Sequence, residues 1–575
     1  MTVILGVRAG SHNSSAALIA DGDIVAAVNE GRFSRIKRES RFPSCAINYI
    51  LDEFDKKIDH IALSTNASPP IGRHLRTELR HLTEGSFDFN DLLAKVSVAL
   101  ERMQAGSGDI SRMFTEETVL EEGDVERIET VDHHLAHAAS AYFTSGFDEA
   151  TTVTVDAAGD GLSSTVSVGR DGSLSKIASN DYVDSIGRLW AQLPTVFGFK
   201  GAKHAGKFMG LAPYADDVPE SLQEEVESLF RVDGLDIVNE FQRKQGGVDY
   251  AKNVKALRDR FRTYEAPEVA HALQRHTEAT LETFLDNAVR KTGIDNVALA
   301  GGVFANVKVN QQIWELDSVG QLFVHPDMSD GGLALGSALK IWSDVQADVM
   351  PKELGHVYYG PEYGRKSIEA AIEQANLPPA YNRTRYADIN RLSDRVGHLL
   401  NDGAVVAVFR GSMEYGPRAL GNRSILYQPT DPSCLSWLNR ALDRTEFMPF
   451  APVTKREAAS NCYVDVDTKR CPAVQYMAIA LDCTEEMKTR SPGAVHIDGT
   501  ARPQIVDRDT NTFLHAVLTS YEERTGIPTL LNTSFNMHGE PLVCNPGEAL
   551  DALTRSRLDA LVIENTLITE TEHES

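Results

Sequence analysis

The chain has 575 residues, 42% hydrophobic and 24% charged, the balance of a soluble globular protein of two to four domains rather than of a disordered one. Its formal charge of −25 and pI of about 5.1 argue against DNA or RNA as the main ligand, because neutralising phosphates takes a basic face. The six cysteines contain no CxxC pair, which excludes a zinc ribbon and suits reduced thiols, and with neither a signal peptide nor a run of roughly 20 apolar residues the expectation is a cytoplasmic protein without a membrane partner.

The opening stretch VILGV predicts a strand. AALIADGDIVAAV predicts two more, joined at Asp21-Gly22-Asp23 by a hairpin turn. Residues 10–15 form a polar loop between them. This opening is similar to that of the actin-like superfold, which is a duplication, and TTVTVDAAGDGLSSTVSVGRDGSLSKIAS supplies a second copy of the same pattern. A helical stretch is expected from about Asn90 to Met113. The apolar positions Val269, Leu273, Leu281, Phe284, Leu285 and Val289 fall on one face of a long helix that Gly293 would stop. VALAGGVFAN reads as strand then tight turn, and FVHPDMSDGGLALGSALKIW as strand, loop, helix. Residues 347–363, rich in proline and glycine, read as a linker between a first domain, 1–346, and a second, 364–575. AVVAVF, SILYQP, TLLNTSF and ALVIENTL are the expected strands of the second domain.

Several constellations can carry chemistry. In HHLAH, His133 and His137 lie four apart, so a helix puts both imidazoles on one face, as two ligands of one metal require. Alone, such a pair more often marks surface or capping histidines. His134 is a competing ligand, turned about 100° away. Asp156 ends an apolar strand and opens DAAGDG, where glycine-rich backbone can cradle phosphate; the bland alternative is a plain turn. Asp330 precedes Gly331 and a helix, which suits a metal ligand beside an anion-binding terminus or, more simply, an N-cap. Gly301-Gly302 and GKFMGLAPYA permit close backbone approach to a nucleotide but match no phosphate-loop pattern. RGSMEYGPRALGNRSILYQP gathers Arg410, Arg418 and Arg423 without a lysine, which points to an anion site, since arginine forks match phosphate and carboxylate. Asn532, Thr533, Ser534 and Asn536 sit at a strand end where small polar groups suit a carbonyl or phosphate, or simply a polar turn.

Taken together, SHNSSAALIADGDIVAAVNEGRFSRIKRES, HHLAHAASAYF, VDAAGDG, GKFMGLAPY, GGVFANVKVN, SDGGLALGSA, MEYGPRALGNRSIL, EFMPFAP, DGTARPQIV and LLNTSFNMHGEPLV resemble the carbamoyltransferase family of the NodU/CmcH type, in family order over nearly the whole chain. The resemblance implies an α/β protein with two parts. One is an actin-like (duplicated ribonuclease-H-like) N-terminal domain related to threonylcarbamoyl transferases. The other is a YrdC-like α/β C-terminal domain that makes carbamoyl adenylate from carbamoyl phosphate and ATP. The first domain then passes the carbamoyl group to a hydroxyl of a small molecule. By motif match it implies His133, His137, Asp156 and Asp330 as ligands of a divalent metal, usually iron(II), and His12 as general base. Gly159, Asp160, Gly161, Lys207, Gly301, Gly302, Asn306 and Gly331 are implied for nucleotide. Arg418, Arg423, Arg444, Arg502, Thr533, Ser534 and Asn536 are implied for carbamoyl phosphate or its adenylate. Magnesium would accompany ATP, and a homodimer is open to the chain. Three positions depart from the family pattern: Asn13 replaces an aspartate, Gly31 a glutamate, and Asp443 a frequent lysine. A tRNA threonylcarbamoyl synthase would want a basic RNA face, a hydrogenase-maturation relative would carry CxxC pairs, and an actin-like sugar kinase has no use for HHLAH.

Overall fold

The structure is a computed structural model that describes residues 1–10, 12–54, 57–65, 118, 125–215, 217–434, 437, 439, 450–556 and 558–570. The chain forms two units. The first comprises Met1–Ala27 and Ser40–Leu354, the second Val28–Glu39 and Gly355–Ser575.

The first unit is built on two five-stranded sheets. Strands β1 (Val3–Arg8), β2 (Ser15–Ala20), β3 (Asp23–Asn29), β4 (Ile58–Ser64) and β5 (Val125–Val131) lie in the order β3-β2-β1-β4-β5. β1 runs antiparallel to β2 and parallel to β4. The hairpin turn sits where the sequence places it: Asp21 and Gly22 both take left-handed conformations, φ 49° and 80°, as the primed turn that matches strand twist requires. Helix α1 (His133–Ser145) leads into β6 (Glu149–Gly159), β7 (Leu162–Arg170) and β8 (Ser173–Asp181). Then come helix α2 (Ile186–Val196), a small hairpin of β9 (Arg231–Asp233) and β10 (Asp236–Val238), and helix α3 (Ala266–Thr292). They are followed by β11 (Asn296–Ala300), β12 (Gln321–Val324) and helix α4 (Leu333–Val345). The second sheet has the order β12-β11-β6-β7-β8, with β6 antiparallel to β7 and parallel to β11. Both sheets therefore share one topology, the duplication that the repeated strand–glycine loop–strand pattern predicts. The helix expected over Asn90–Met113 lies outside the described residues.

Two glycines set how the helices sit. A Cβ at Gly6 would fall 1.9 Å from the Ala334 carbonyl oxygen, and one at Gly336 1.9 Å from the Ala136 carbonyl oxygen. Helix α4 thus presses its backbone onto β1 on one side and onto α1 on the other, which fixes the two segments that carry the candidate metal ligands. Helix α3 ends at Gly293 (φ 72°), as its apolar face and stop residue predict, and begins with a Glu265–Glu268 capping box, unremarked in the sequence.

His325, at the end of β12, is wholly buried, and burial pulls its imidazole down to about 4. Between pH 6.5 and 4 the unfolded chain holds a proton there that the folded chain refuses, so stability falls as pH drops through that window and is undiminished above it. The loss reaches about 3 kcal/mol by pH 4. We expect melting temperature to fall steeply from pH 6.5 to 5, and less steeply for His325→Gln; parallel curves would remove this residue from the account.

The second unit holds an eight-stranded sheet. Its members are β13 (Tyr381–Arg385), β14 (Val406–Phe409), β15 (Arg423–Tyr427), β16 (Ala451–Lys455), β19 (Gln504–Val506), β20 (Thr529–Ser534), β21 (Ala560–Ile563) and β22 (Thr566–Glu570). Short strands β17 (Leu481–Asp482) and β18 (Thr500–Ala501) pair beside it. Apolar residues of helices α5 (Ile389–Asn401) and α6 (Thr512–Thr525) pack with Val406, Val408, Leu426, Leu530 and Val562 into one core. ALVIENTL, expected as one strand, is two: Glu564 turns left-handed (φ 49°) and β21 folds back on β22.

Residues 347–363 are not a free linker. The Lys352 and Leu354 amides donate to Phe143 and Thr144 carbonyls in the first unit, while Val357, Gly360 and Pro361 exchange backbone bonds with Tyr415 and Met413 in the second. Proline and glycine there mark the absence of helix, not of pairing. The EGRFSR stretch, numbered with the first domain, belongs to the second unit, where Arg32 donates to the Gly416 carbonyl at 2.5 Å and Arg35 to the Leu542 carbonyl at 2.6 Å. Gly31 fits its place: a Cβ would lie 2.5 Å from the Ile36 carbonyl oxygen.

Candidate metal and transfer site

In the first unit four side chains converge from three segments. His133 and His137 open α1, Asp156 lies in β6, and Asp330 precedes α4. One ligand atom of each lies within 4.8 Å of every other, and all four residues are buried. His133 Nε2 and His137 Nε2 face the same Asp156 Oδ2 at 3.3 and 3.2 Å. The register of β6 against β7 shifts between Val155 and Gly159, and this bulge turns Asp156 toward the histidines, a common use of a bulge beside a site.

Asp330 is no helix cap: α4 is preceded by Gly332 and has no side-chain cap. Instead its Oδ2 takes the guanidinium of Arg8 at 2.5 Å, with His12 Nδ1 at 3.8 Å. His134 is no ligand either. Its ring bonds Thr154 Oγ1 at 2.8 Å and the Leu162 carbonyl at 3.2 Å, and burial holds it neutral, its pKa pulled down to about 3.

The electrostatics ask for a cation. Burial pushes the Asp156 carboxyl up, but hydrogen bonds from His133 and His137 outweigh it and hold it well below the carboxylate range. Burial likewise opposes charge on His133, yet its bond to Asp156 and the field of Asp330 raise it, while His137 stays lowered by burial. Two carboxylates thus face one guanidinium, which leaves the cluster short of positive charge when both imidazoles are neutral. A cation fits that deficit, and two imidazoles with two carboxylates form a donor set suited to iron, manganese or zinc.

Glycine is obligatory at 159. A Cβ there would lie 2.0 Å from His133 Cδ2. Gly159→Ala is therefore expected to swing the imidazole aside and weaken metal binding by about 10- to 100-fold; metal retained on dialysis at the level of the unaltered protein would contradict this.

The remaining expected residues divide. Gly301 (φ 110°) runs against β6, and a Cβ on Gly302 would lie 3.1 Å from Asp156 Oδ1, so both glycines border the site. The Gly331 carbonyl accepts from Ser15. Lys207 lies on a short helix, Ala205–Met209. Asp160 and Asn306 also make bonds within the protein. Asp160 Oδ2 accepts the His133 amide at 2.6 Å and Thr65 Oγ1 at 2.5 Å, securing the start of α1. The Asn306 side chain caps the helix Val307–Trp314 and pairs with Gln274.

In the second unit the arginines of Arg410–Pro429 also divide. Arg423 is fully buried over the Phe409 ring, and its terminal nitrogens donate to the carbonyls of Arg410, Asn422, Pro361 and Gly411 at 2.9 to 3.1 Å. It supports the loop with all of its terminal nitrogens. Arg410 donates to the Glu564 carbonyl. Arg418 differs. It is half-buried, and among the described residues its enclosed Nε has no partner and no carboxylate offsets the burial that draws it down to about 10. Glu414, unremarked in the sequence, organises this loop: its Oε1 accepts the amides of Leu420, Asn422 and Arg423 at 2.8 to 3.0 Å. Thr533 and Ser534 end β20 opposite Ile425 and Ser424, and Arg502 lies half-buried after β18. The Asn536 amide is used locally, donating to the Met537 and Glu540 carbonyls. Arg444 and Asp443 lie outside the described residues.

Residues 3–339 match the family described as carbamoyltransferase N-terminus and residues 397–570 the family described as carbamoyltransferase C-terminus. Nodulation protein NolNO of Sinorhizobium fredii is 30% identical over 572 residues, 97% of this chain and 79% of that protein. Nodulation protein NolO of Bradyrhizobium diazoefficiens is 31% identical over 446 residues, 76% of this chain and 78% of that one. An uncharacterised Synechocystis protein is 30% identical over 99% of this chain and 97% of its own. Among solved structures, component A of (R)-2-hydroxyglutaryl-CoA dehydratase from Acidaminococcus fermentans covers 60% of the chain at TM-score 0.33 and 14% identity, with 99% of its own chain covered. The chain belongs to the carbamoyltransferase family and is an enzyme that transfers carbamoyl groups. Among the described residues no helix is long and apolar enough to cross a membrane.

Proposed function

We propose an ATP-dependent O-carbamoyltransferase that modifies a hydroxyl of a small molecule. The second unit, read as YrdC-like, makes carbamoyl adenylate; the first transfers the carbamoyl group. Releasing both phosphate and pyrophosphate while making one new anhydride consumes one water, so carbamoyl phosphate, ATP and water give carbamoyl adenylate, phosphate and pyrophosphate. Arg418, with Arg502, Thr533 and Ser534 near the same strand ends, would hold the anions of that step. In the first unit the acceptor oxygen attacks the carbamoyl carbon, the bond to the AMP oxygen breaks, and AMP leaves.

The observation that carries this reading is the buried cluster of His133, His137, Asp156 and Asp330 with His12 beside it. His12 is partly exposed and its Nδ1 faces Asp330, which leaves Nε2 to take the proton of the acceptor hydroxyl. The four ligands would hold iron(II), which supplies Lewis acidity for charge that builds on the carbonyl oxygen and phosphate. Asn13 in place of aspartate is compatible with this loop: it adopts φ 54°, a conformation asparagine and aspartate both tolerate.

The test is to incubate the protein with carbamoyl phosphate, ATP and iron(II) and to measure pyrophosphate. Release that requires carbamoyl phosphate supports the reading. ADP formed without carbamoyl phosphate would replace it with a kinase.

A further inference from the structure

Arg188, half-buried, stands apart from Arg8 and Arg243 of the first unit. It lies in the first turn of α2, where the Ser185 hydroxyl accepts its amide at 3.1 Å. That hydroxyl also donates to the Asp156 carbonyl at 3.1 Å, and a Cβ at Gly187 would fall 2.8 Å from the Ala157 nitrogen. The start of α2 is thus locked onto the backbone of the metal-ligand bulge. The guanidinium lies 5.5 Å from the centre of the Tyr182 ring, and the Tyr182 amide bonds the Gly161 carbonyl. Arg188 therefore borders the Asp156–Gly161 loop.

Its charge is unmatched. Among the described residues no carboxylate or carbonyl pairs with it, its Nε is enclosed, and burial lowers its pKa with only the Tyr182 hydroxyl opposing. Arg8 and Arg243, by contrast, are paired with Asp330 and Asp184. Acids outnumber bases here, 82 to 57, so a desolvated arginine without an acid is not short of candidates. One turn on, Gln192 shares its face, and its amide, 1% exposed, has both polar atoms without a hydrogen bond. Buried polar groups left unsatisfied are costly and rare, and ask for an absent partner.

We infer that Arg188 is an anion-binding residue of the transfer unit that holds the phosphate of the adenylate beside the Asp156–Gly161 loop. This rests on the adenylate chemistry proposed above. A guanidinium fork matches two oxygens of a phosphate ester, and AMP is the group that must be held as the carbamoyl leaves it. Free inorganic phosphate offers the same oxygens.

The experiment titrates AMP, adenosine and inorganic phosphate calorimetrically into the full-length protein carrying Arg418→Ala, which silences the second unit, with and without Arg188→Met. We expect Arg188→Met to weaken AMP at least tenfold, to leave adenosine unchanged and not to lower the ligand-free melting temperature, because a partly desolvated charge that no described residue pairs with has been removed. A loss confined to inorganic phosphate would replace the adenylate with free phosphate as occupant and overturn the assignment. Equal AMP affinity in both proteins, or a melting temperature that drops by several degrees, would overturn it too. Pyrophosphate release by the unaltered protein, measured in parallel, separates the two ideas. If the parent protein makes none, the adenylate reading has failed; if it does and AMP affinity is indifferent to Arg188, only this inference has.

Discussion

His137→Ala is expected to abolish carbamoyl transfer while leaving carbamoyl-phosphate-dependent pyrophosphate release intact. Among the described residues the His137 side chain hydrogen-bonds only within the cluster: its Nε2 faces Asp156 and its Nδ1 is buried without a partner. Removing it takes away one of four candidate ligands and one of the two histidine hydrogen bonds that hold the Asp156 carboxyl low. Loss of an outer support of a metal ligand costs about 10- to 100-fold in affinity or activity, and loss of a ligand itself exceeds that. The checks are metal content after dialysis, labelled carbamoyl transferred to hydroxylated acceptors, and pyrophosphate. Transfer at the parental rate, or a full complement of metal, would show that the cluster is structural. Loss of pyrophosphate release as well would show that the two half-reactions do not divide between the units as proposed.

What the sequence could and could not disclose follows from distance along the chain. Local signals succeeded: the Asp21-Gly22 turn, the glycine-stopped α3, the repeated strand–loop–strand pattern and the helical spacing of His133 and His137 each depend on neighbours within a few residues. The ambiguous cases were settled by contacts the sequence does not encode locally. Asp330 could have been an N-cap, and is instead bound by Arg8, a residue 322 positions away. A lone charge at the end of the apolar run VILGVR was the available clue to Arg8. His134 and His137 flank the same turn, but only the placement of Thr154 and Leu162 shows that His134 is tied into the sheet. The bulge that aims Asp156 has no signature in TTVTVDAAGDG beyond its glycines. Val28–Glu39 reads as a continuation of the first hairpin, and its place in the second unit is fixed by carbonyls of Gly416 and Leu542.

Arg418→Ala is expected to reduce pyrophosphate formation on the order of 100- to 1,000-fold, the scale of losing one preorganised donor to developing charge, without lowering the melting temperature. Composition alone treats Arg410, Arg418 and Arg423 alike; the structure separates them by what their nitrogens already bind. Arg423 spends its fork on four carbonyls, so Arg423→Ala should melt earlier and lose activity by disordering the loop, since hydrogen bonds to a charged group contribute about 1.5–3 kcal/mol each. Arg418 carries a burial penalty that nothing among the described residues offsets, so its removal costs the fold little and the chemistry much. Lysine at 418 keeps the charge but not the planar fork, and should restore only part of the rate. A variant that melts several degrees lower would mean that Arg418 is held by the protein after all. Unchanged pyrophosphate formation would move the anion site to Arg502 and the Thr533–Ser534 strand end. The combination expected, activity lost with stability kept, is what a group held in readiness for an anion produces and what a structural arginine cannot.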